Sequence, residues 1–212
     1  MKNIIIIGAR GTGQSVYKQV SDYIKDYDCY QVKGFLDDDP TVIKSPQDYP
    51  PILGPVESYE IQPDDCFLSA LGDPISRKKY VEIIISKGGE FITLVSKKSY
   101  VMDNVKLGKG VLIGPFNFID VNVEIGDHSL ILSFCNIGHD TKIGNYCEIE
   151  PYSAVSGNVA VENGVTLHAR ATIAPKIHVG ENSVVGAGSL VLRDVAPNSV
   201  VFGNPARPIP IK

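Results

Sequence analysis

Between Leu107 and Ala196 apolar positions recur every six residues, and the segment divides into 15 hexads over 90 residues without a gap. The first hexad position is always aliphatic, from Leu107, Ile113 and Ile119 through Ile137, Ile143 and Ile149 to Val185 and Val191. The fifth position is small, as at Ser129, Cys135, Thr141, Cys147 and Ser153, except at Asn117 and Ile177. A helix repeats every 3.6 residues and a single strand every two, so neither produces this list. A short fixed repeat of this kind predicts a coil of stacked parallel strands. Three hexads make one triangular turn, so residues 18 apart form columns and five turns fill the segment. Positions one and five point into a thin aliphatic core. The tail Pro197 to Lys212 is placed to close one end.

The first hundred residues follow another pattern. The β-branched run Asn3 to Ile7 predicts a buried parallel strand. Gly8-Ala9-Arg10-Gly11-Thr12-Gly13 follows, and a helix is expected from about Gln14 to Lys25. Further strands are expected at Gln31 to Leu36, Cys66 to Leu71 and Glu90 to Val95, with a helix at Ser76 to Lys87. Strands alternating with helices predict a Rossmann-like parallel α/β sheet that binds ligand at its carboxyl edge. The expected boundaries are 1–96 for this domain and 97–212 for the coil with its tail.

The glycine loop lets the backbone approach a diphosphate, with the N–H groups of a helix start behind it. Asp37 and Asp38, ending the second strand, are placed to accept hydrogen bonds from a ribose or base. Gly72, Asp73 and Arg77 lie where another strand end would meet the same ligand. About 95 residues leave no room for the second half of a full NAD-binding fold, so one nucleotide is expected and an NAD-dependent oxidoreductase is disfavoured.

Composition narrows the classes. A net charge of −4 offers no basic stripe for a phosphate backbone, so nucleic acid is not expected as a partner. No run approaches a membrane span, and Ile4 to Ile7 is too short for a signal segment. Cys29, Cys66, Cys135 and Cys147 form no CxxC pair, and two of them fill core-facing hexad positions. A zinc or disulfide framework is therefore disfavoured, no metal is expected, and a cytoplasmic location fits. His128, His168 and His178 show no ligand spacing; the last two read as surface residues.

The column arithmetic brings chemistry into the coil. His139, Gly157, Pro175 and Arg193 follow one another at intervals of 18. At about 4.8 Å per turn, Arg193 stands about 14 Å from His139. A base, a bare backbone and a distant cation suit a long thin ligand with a reactive carbonyl at one end and phosphates at the other, the shape of a coenzyme A thioester. The Gly157 N–H is placed to donate to a developing oxyanion, and Arg193 and Arg207 to grip phosphates. Asp140, next to His139, can orient the imidazole and keep it basic.

These features together resemble the NeuD/PglD type of sugar acyltransferase. They are a short α/β domain opening with G-x-x-G-x-G, an acidic strand end, the stretch Ile137-Gly138-His139-Asp140-Thr141-Lys142-Ile143-Gly144 and Gly203-Asn204-Pro205-Ala206-Arg207. The resemblance implies that the coil is a left-handed parallel β-helix and that the chain forms a homotrimer with active sites between subunits. It implies acetyl-CoA as donor and a nucleotide-linked 4-amino sugar as acceptor, for glycan or surface polysaccharide synthesis. The nucleotide would lie around Gly8, Gly11, Thr12, Gly13, Asp37 and Asp38. His139 matches the general base, Asp140 its acidic support and Gly157 the backbone donor to the thioester. Gly186 and Gly188 match the stretch beside the pantetheine arm. The chain departs from the family at Thr12, Ser96-Lys97, Leu132 and Glu148, positions that face acceptor and donor there. O-acetylation of a sialic acid or related sugar, and a non-catalytic nucleotide-sugar scaffold, are the alternative readings.

Overall fold

A computed structural model describes residues 1–24 and 29–210. The chain divides into two compact units, Met1–Leu94 and Val95–Lys212.

In the first unit three parallel strands lie in the order β2-β1-β3, with β1 Lys2–Ile7, β2 Tyr30–Leu36 and β3 Asp65–Ser69. Ile4 to Ile7 are all buried, as a central strand covered on both faces requires. Helix α1 spans Gly11–Ile24 and α2 spans Pro74–Ser86. The first helix begins three residues earlier than its apolar pattern predicts, because the Gln14 N–H bonds to the Arg10 carbonyl at 2.9 Å. The glycine loop thereby becomes the first helical turn. Its expected last residue, Lys25, lies outside the described residues.

Two strand expectations need correction. The strand expected at Cys66 to Leu71 stops at Ser69; beyond it the carbonyls of Leu71 and Gly72 accept from the buried Arg77 guanidinium at 2.6 and 3.0 Å. The strand expected at Glu90 to Val95 is one parallel bridge, Phe67 to Phe91, and a two-residue strand, Leu94–Val95.

The second unit is the parallel coil. Two-residue strands recur at each first hexad position and stack on three faces. Each strand pairs with that of the next turn 18 residues on, as in Leu112 with Leu130, Leu130 with Glu148, and Asn136 with Ala154. Position-one residues from Ile113 to Val191 are buried, and so is every position-five residue from Val111 to Val195. Buried serine and threonine at position five bond carbonyls of the neighbouring corner, as Thr141 Oγ1 does to Ser156 O at 3.0 Å. Cys135 and Cys147 do the same through sulfur, and burial pushes the Cys135 thiol up to about 11.

The coil differs from the arithmetic at both ends. It starts earlier, because Val95 and Val101 pack against the same core. After Val191 the register shortens from 18 to 16: Val179 pairs with Val195, and Val184 with Val200. The bend at Arg193–Asp194 closes that corner two residues early, and the Asp194 carboxylate takes the His178 N–H at 2.8 Å. The tail then adds a strand, Val200–Gly203, and folds back on it as Ala206–Ile209.

Ile149 is fully buried in the middle of this core. Ile149→Ala should lower unfolding free energy by about 2–5 kcal/mol, the usual cost of emptying a core site that cannot collapse. Urea unfolding followed by circular dichroism checks this.

Candidate active site

The three strand ends of the first unit open onto a cavity of about 480 Å³. It gathers Gly8, Arg10, Gly11, Thr12, Asp37, Asp38, Asp39, Gly72 and Tyr80. Parallel strands leave the sheet at one edge, so the strand-to-helix loops converge there. Gly11 and Thr12 bring first-turn N–H groups of α1 to the wall, a natural seat for phosphate oxygens.

Not every predicted residue reaches the cavity. Gly13 is buried with a Cβ position 1.9 Å from the Gly8 carbonyl oxygen, so it permits close packing of α1 on β1. Asp73 caps α2, accepting from the Ser76 N–H at 2.8 Å and hydroxyl at 2.6 Å. Arg77 is buried behind the loop it holds. Asp37 lines the cavity, but its two oxygens take the N–H groups of Ala9 at 2.9 Å and Asp39 at 3.1 Å. It fixes the glycine loop rather than standing open for a ligand. Asp38 has the freer carboxylate: one oxygen accepts from the Tyr80 hydroxyl at 2.9 Å. That hydrogen bond, with burial, holds the Tyr80 phenol above its ordinary value. Sequence reasoning missed Tyr80 because its partner lies 42 residues away on another element.

The second constellation lies on one corner of the coil, between Asn136–Ile137 and Lys142–Ile143. His139 Nδ1 and Asp140 Oδ2 are 2.7 Å apart. Asp140 also accepts from the Asn122 amide at 2.9 Å. These two hydrogen bonds, His139's first, hold the Asp140 carboxyl below the usual carboxylate range. One turn on, a Cβ at Gly157 would stand 2.6 Å from His139 Nε2 and 2.8 Å from Cε1. The imidazole therefore lies on bare backbone, with Nε2 nearest. The Asn158 N–H bonds the His139 carbonyl at 2.9 Å, and the Lys176 N–H bonds the Gly157 carbonyl at 3.2 Å, which confirms the columns.

The Gly157 N–H has no hydrogen-bond partner among the described residues. Elsewhere the same hexad position is often capped by a side chain: Asp127 by Asn145, Asn145 by Asn163, Ala169 by Glu150, Glu181 by Glu162. An uncapped donor beside a carboxylate-oriented imidazole is the pairing that acyl transfer needs.

Pro175 and Arg193 lie on the same corner further along, and the Arg193 side chain is exposed. Gly186 and Gly188 do not join them. They occupy the corner between Val184–Val185 and Leu190–Val191. Gly186 lies under the Phe202 ring, which a Cβ would approach to 2.3 Å, whereas the space around Gly188 is open. Arg207 pairs with Phe202 across the tail hairpin. His168 and His178 each meet a glutamate, Glu150 and Glu162, at 2.9 Å. His128 is buried and stacks on Tyr146 with centroids 5.3 Å apart. No group of three metal-ligating side chains occurs among the described residues.

The PglD N-terminal domain model matches residues 3–84, and the model of the bacterial transferase hexapeptide, six repeats, matches residues 122–157. The first unit is thus similar to the PglD N-terminal domain. The coil is a hexapeptide-transferase coil. Among solved structures, the chain is similar to PerB from Caulobacter crescentus, described in complex with CoA and GDP-perosamine. The identity is 25%, the TM-score 0.88, and 99% of this chain and 98% of that one are covered. The acetyltransferase domain of PglB from Neisseria gonorrhoeae, described in complex with acetyl coenzyme A, shares the fold: 19% identity, TM-score 0.73, covering 98% and 99% of the chains. A curated relative is the acyl-[acyl-carrier-protein]–UDP-N-acetylglucosamine O-acyltransferase of Pseudomonas fluorescens strain SBW25. It is 28% identical over 138 residues, covering 65% of this chain and 49% of the relative. The chain thus spans about half the length of the first curated relatives it matches.

Proposed function

We propose that this protein is an acetyl-CoA-dependent N-acetyltransferase acting on an amino sugar carried by a nucleotide, in the synthesis of a glycan or surface polysaccharide. The observation that carries the reading is the His139 imidazole, fixed by Asp140 and lying over the bare Cα of Gly157, a residue whose N–H is uncapped. The Nδ1 contact with a carboxylate places the proton on Nδ1 and leaves the Nε2 lone pair free. Nε2 accepts the proton of the attacking amine as nitrogen bonds to the thioester carbonyl carbon. The carbonyl oxygen gains charge and accepts from the Gly157 N–H. The carbon–sulfur bond then breaks, CoA leaves as thiolate, and the proton on His139 returns to it. No covalent enzyme intermediate is needed.

Pro175 and Arg193 continue the His139 corner toward the donor's phosphates, and Arg207 is a second candidate grip. Gly188 lies on a different corner, so in this reading a donor that touches both His139 and Gly188 lies between two copies of the coil. That supports a homotrimer with donor sites between neighbours. The likeness to PerB and PglB supports CoA as carrier and a nucleotide sugar as acceptor. The nucleotide belongs in the first unit's cavity, phosphates on Gly11 and Thr12, Asp38 toward ribose or base.

Two predictions follow from these assignments. Free thiol should be released from acetyl-CoA in the presence of one nucleotide-linked 4-amino sugar among UDP, dTDP and GDP forms, and not with free sialic acids. Release with a sialic acid instead would favour O-acetylation, and CoA binding without release for any acceptor would favour a scaffold. Tyr80→Phe, which frees Asp38, should raise KM for the nucleotide sugar about 2–10-fold, the worth of one hydrogen bond, with kcat unchanged. Steady-state kinetics with the acceptor varied checks it; an unchanged KM would remove Asp38 from the binding site.

A further inference from the structure

Asp140 lies on the surface at a coil corner, and an exposed carboxylate turns freely unless something holds its second oxygen. Here Oδ2 faces His139 Nδ1 at 2.7 Å while Oδ1 accepts from the Asn122 amide at 2.9 Å. Asn122 is itself held. Its side-chain oxygen accepts from the Asn104 amide, and its backbone N–H donates to Asn104 Oδ1 at 3.3 Å. Asn104, Asn122 and Asp140 follow at intervals of 18, so they form one column at the fourth hexad position. Asn122 and Asp140 both adopt the left-handed backbone conformation, with φ of 59° and 57°. Asparagine and aspartate tolerate that conformation better than other side chains. The corner geometry therefore accounts for a short polar residue at 122. It does not account for an amide whose NH₂ is turned onto the carboxylate that orients the base.

We infer that Asn122, supported by Asn104, is a positioning residue: its amide fixes the plane of the Asp140 carboxylate, and through it the tautomer of His139. With both carboxylate oxygens engaged, Oδ2 stays on Nδ1–H and Nε2 stays free beside Gly157. Without the amide the carboxylate rotates and the imidazole samples the other tautomer, whose Nε2 carries a proton and cannot accept one. Asn122 touches neither donor nor acceptor in this scheme. The inference rests on His139 being the base.

The test compares Asn122→Asp and Asn122→Gly with the unaltered protein. Both replacements accept the left-handed backbone conformation. Asp keeps the oxygen that accepts from Asn104 but sets a second carboxylate against Asp140, whereas Gly removes the amide without adding charge. Long-range ¹H–¹⁵N correlation spectra of the imidazoles, with the His139 signals assigned by His139→Gln, report which nitrogen carries the proton when the ring is neutral. Wild type is expected to show the proton on Nδ1, and both variants a mixture of tautomers. In the acetyl-transfer assay kcat should fall about tenfold, near the lower end of the worth of one hydrogen bond to a charged group, with KM for both substrates unchanged. Asn104→Gly should show a smaller effect of the same kind. An unchanged His139 tautomer in both variants would overturn the inference, whatever the activity. If the protein transfers no acetyl group at all, the spectra still decide the positioning role, while the proposed reaction falls separately.

Discussion

His139→Ala is expected to lower kcat for acetyl transfer at least a hundredfold while leaving fold and assembly intact. General base catalysis contributes about 10²–10⁴-fold. The mutant keeps the Gly157 N–H and the alignment of bound substrates, so residual turnover above the uncatalysed rate should remain. The side chain is half-exposed at a corner and its ring sits on bare backbone, so its loss opens no core cavity. Unfolding midpoint and gel-filtration volume should match wild type, and CoA affinity should change little. Activity within tenfold of wild type, measured by free thiol release at saturating acceptor, would remove His139 from the base role.

The second large effect is expected from one methyl group. Gly157→Ala places a Cβ 2.6 Å from His139 Nε2 and 3.0 Å from Cδ2, closer than atoms can approach. Gly157 does not occupy the left-handed region, so alanine is acceptable to the backbone. The ring is therefore displaced while the coil is kept. Misplacement of a reacting group by about 1 Å can cost about 10²-fold in rate. A fall of that size in kcat, with a normal unfolding curve, is the expected result. Wild-type turnover would mean that the imidazole works in a different position from the one it holds here.

Much of the coil could be read from the chain because its repeat is rigid. Six residues per edge and three edges per turn fix which side chains share a column, so His139 and Gly157 could be placed together by addition. The same arithmetic failed where the repeat did: two residues are missing from the last turn near Asp194, and nothing in the apolar pattern around Val191 announces it. Asn122 was readable in principle, since it stands 18 residues before Asp140. It was missed because a corner asparagine is explained by its backbone alone. In the α/β unit there is no such ruler. The glycine loop and acidic strand end located the cavity. Which aspartate stays open depends on hydrogen bonds between distant elements: Ala9 to Asp37, Tyr80 to Asp38. Gly13 and Asp73 carried the right residue types and serve packing and capping instead.

The linkage of Asp140 to His139 also sets a direction with pH. The folded-state carboxyl titrates below its ordinary value, so its contribution to stability is present above that value and is lost as pH falls through the lowered one. The carboxylate is therefore ionised at neutral pH, as its orienting role requires.

The central claim is direct transfer of acetyl from CoA to a sugar nitrogen. The measurement that tests it most directly is mass spectrometry of enzyme and product after reaction of acetyl-CoA with the accepted nucleotide sugar, followed by neutral hydroxylamine. The account predicts a product heavier by one acetyl group that survives hydroxylamine, as an amide does, and an enzyme of unchanged mass throughout. An acetyl group released by hydroxylamine would mark an ester and an oxygen acceptor, and an acetylated enzyme that decays as product forms would replace direct attack with a covalent route.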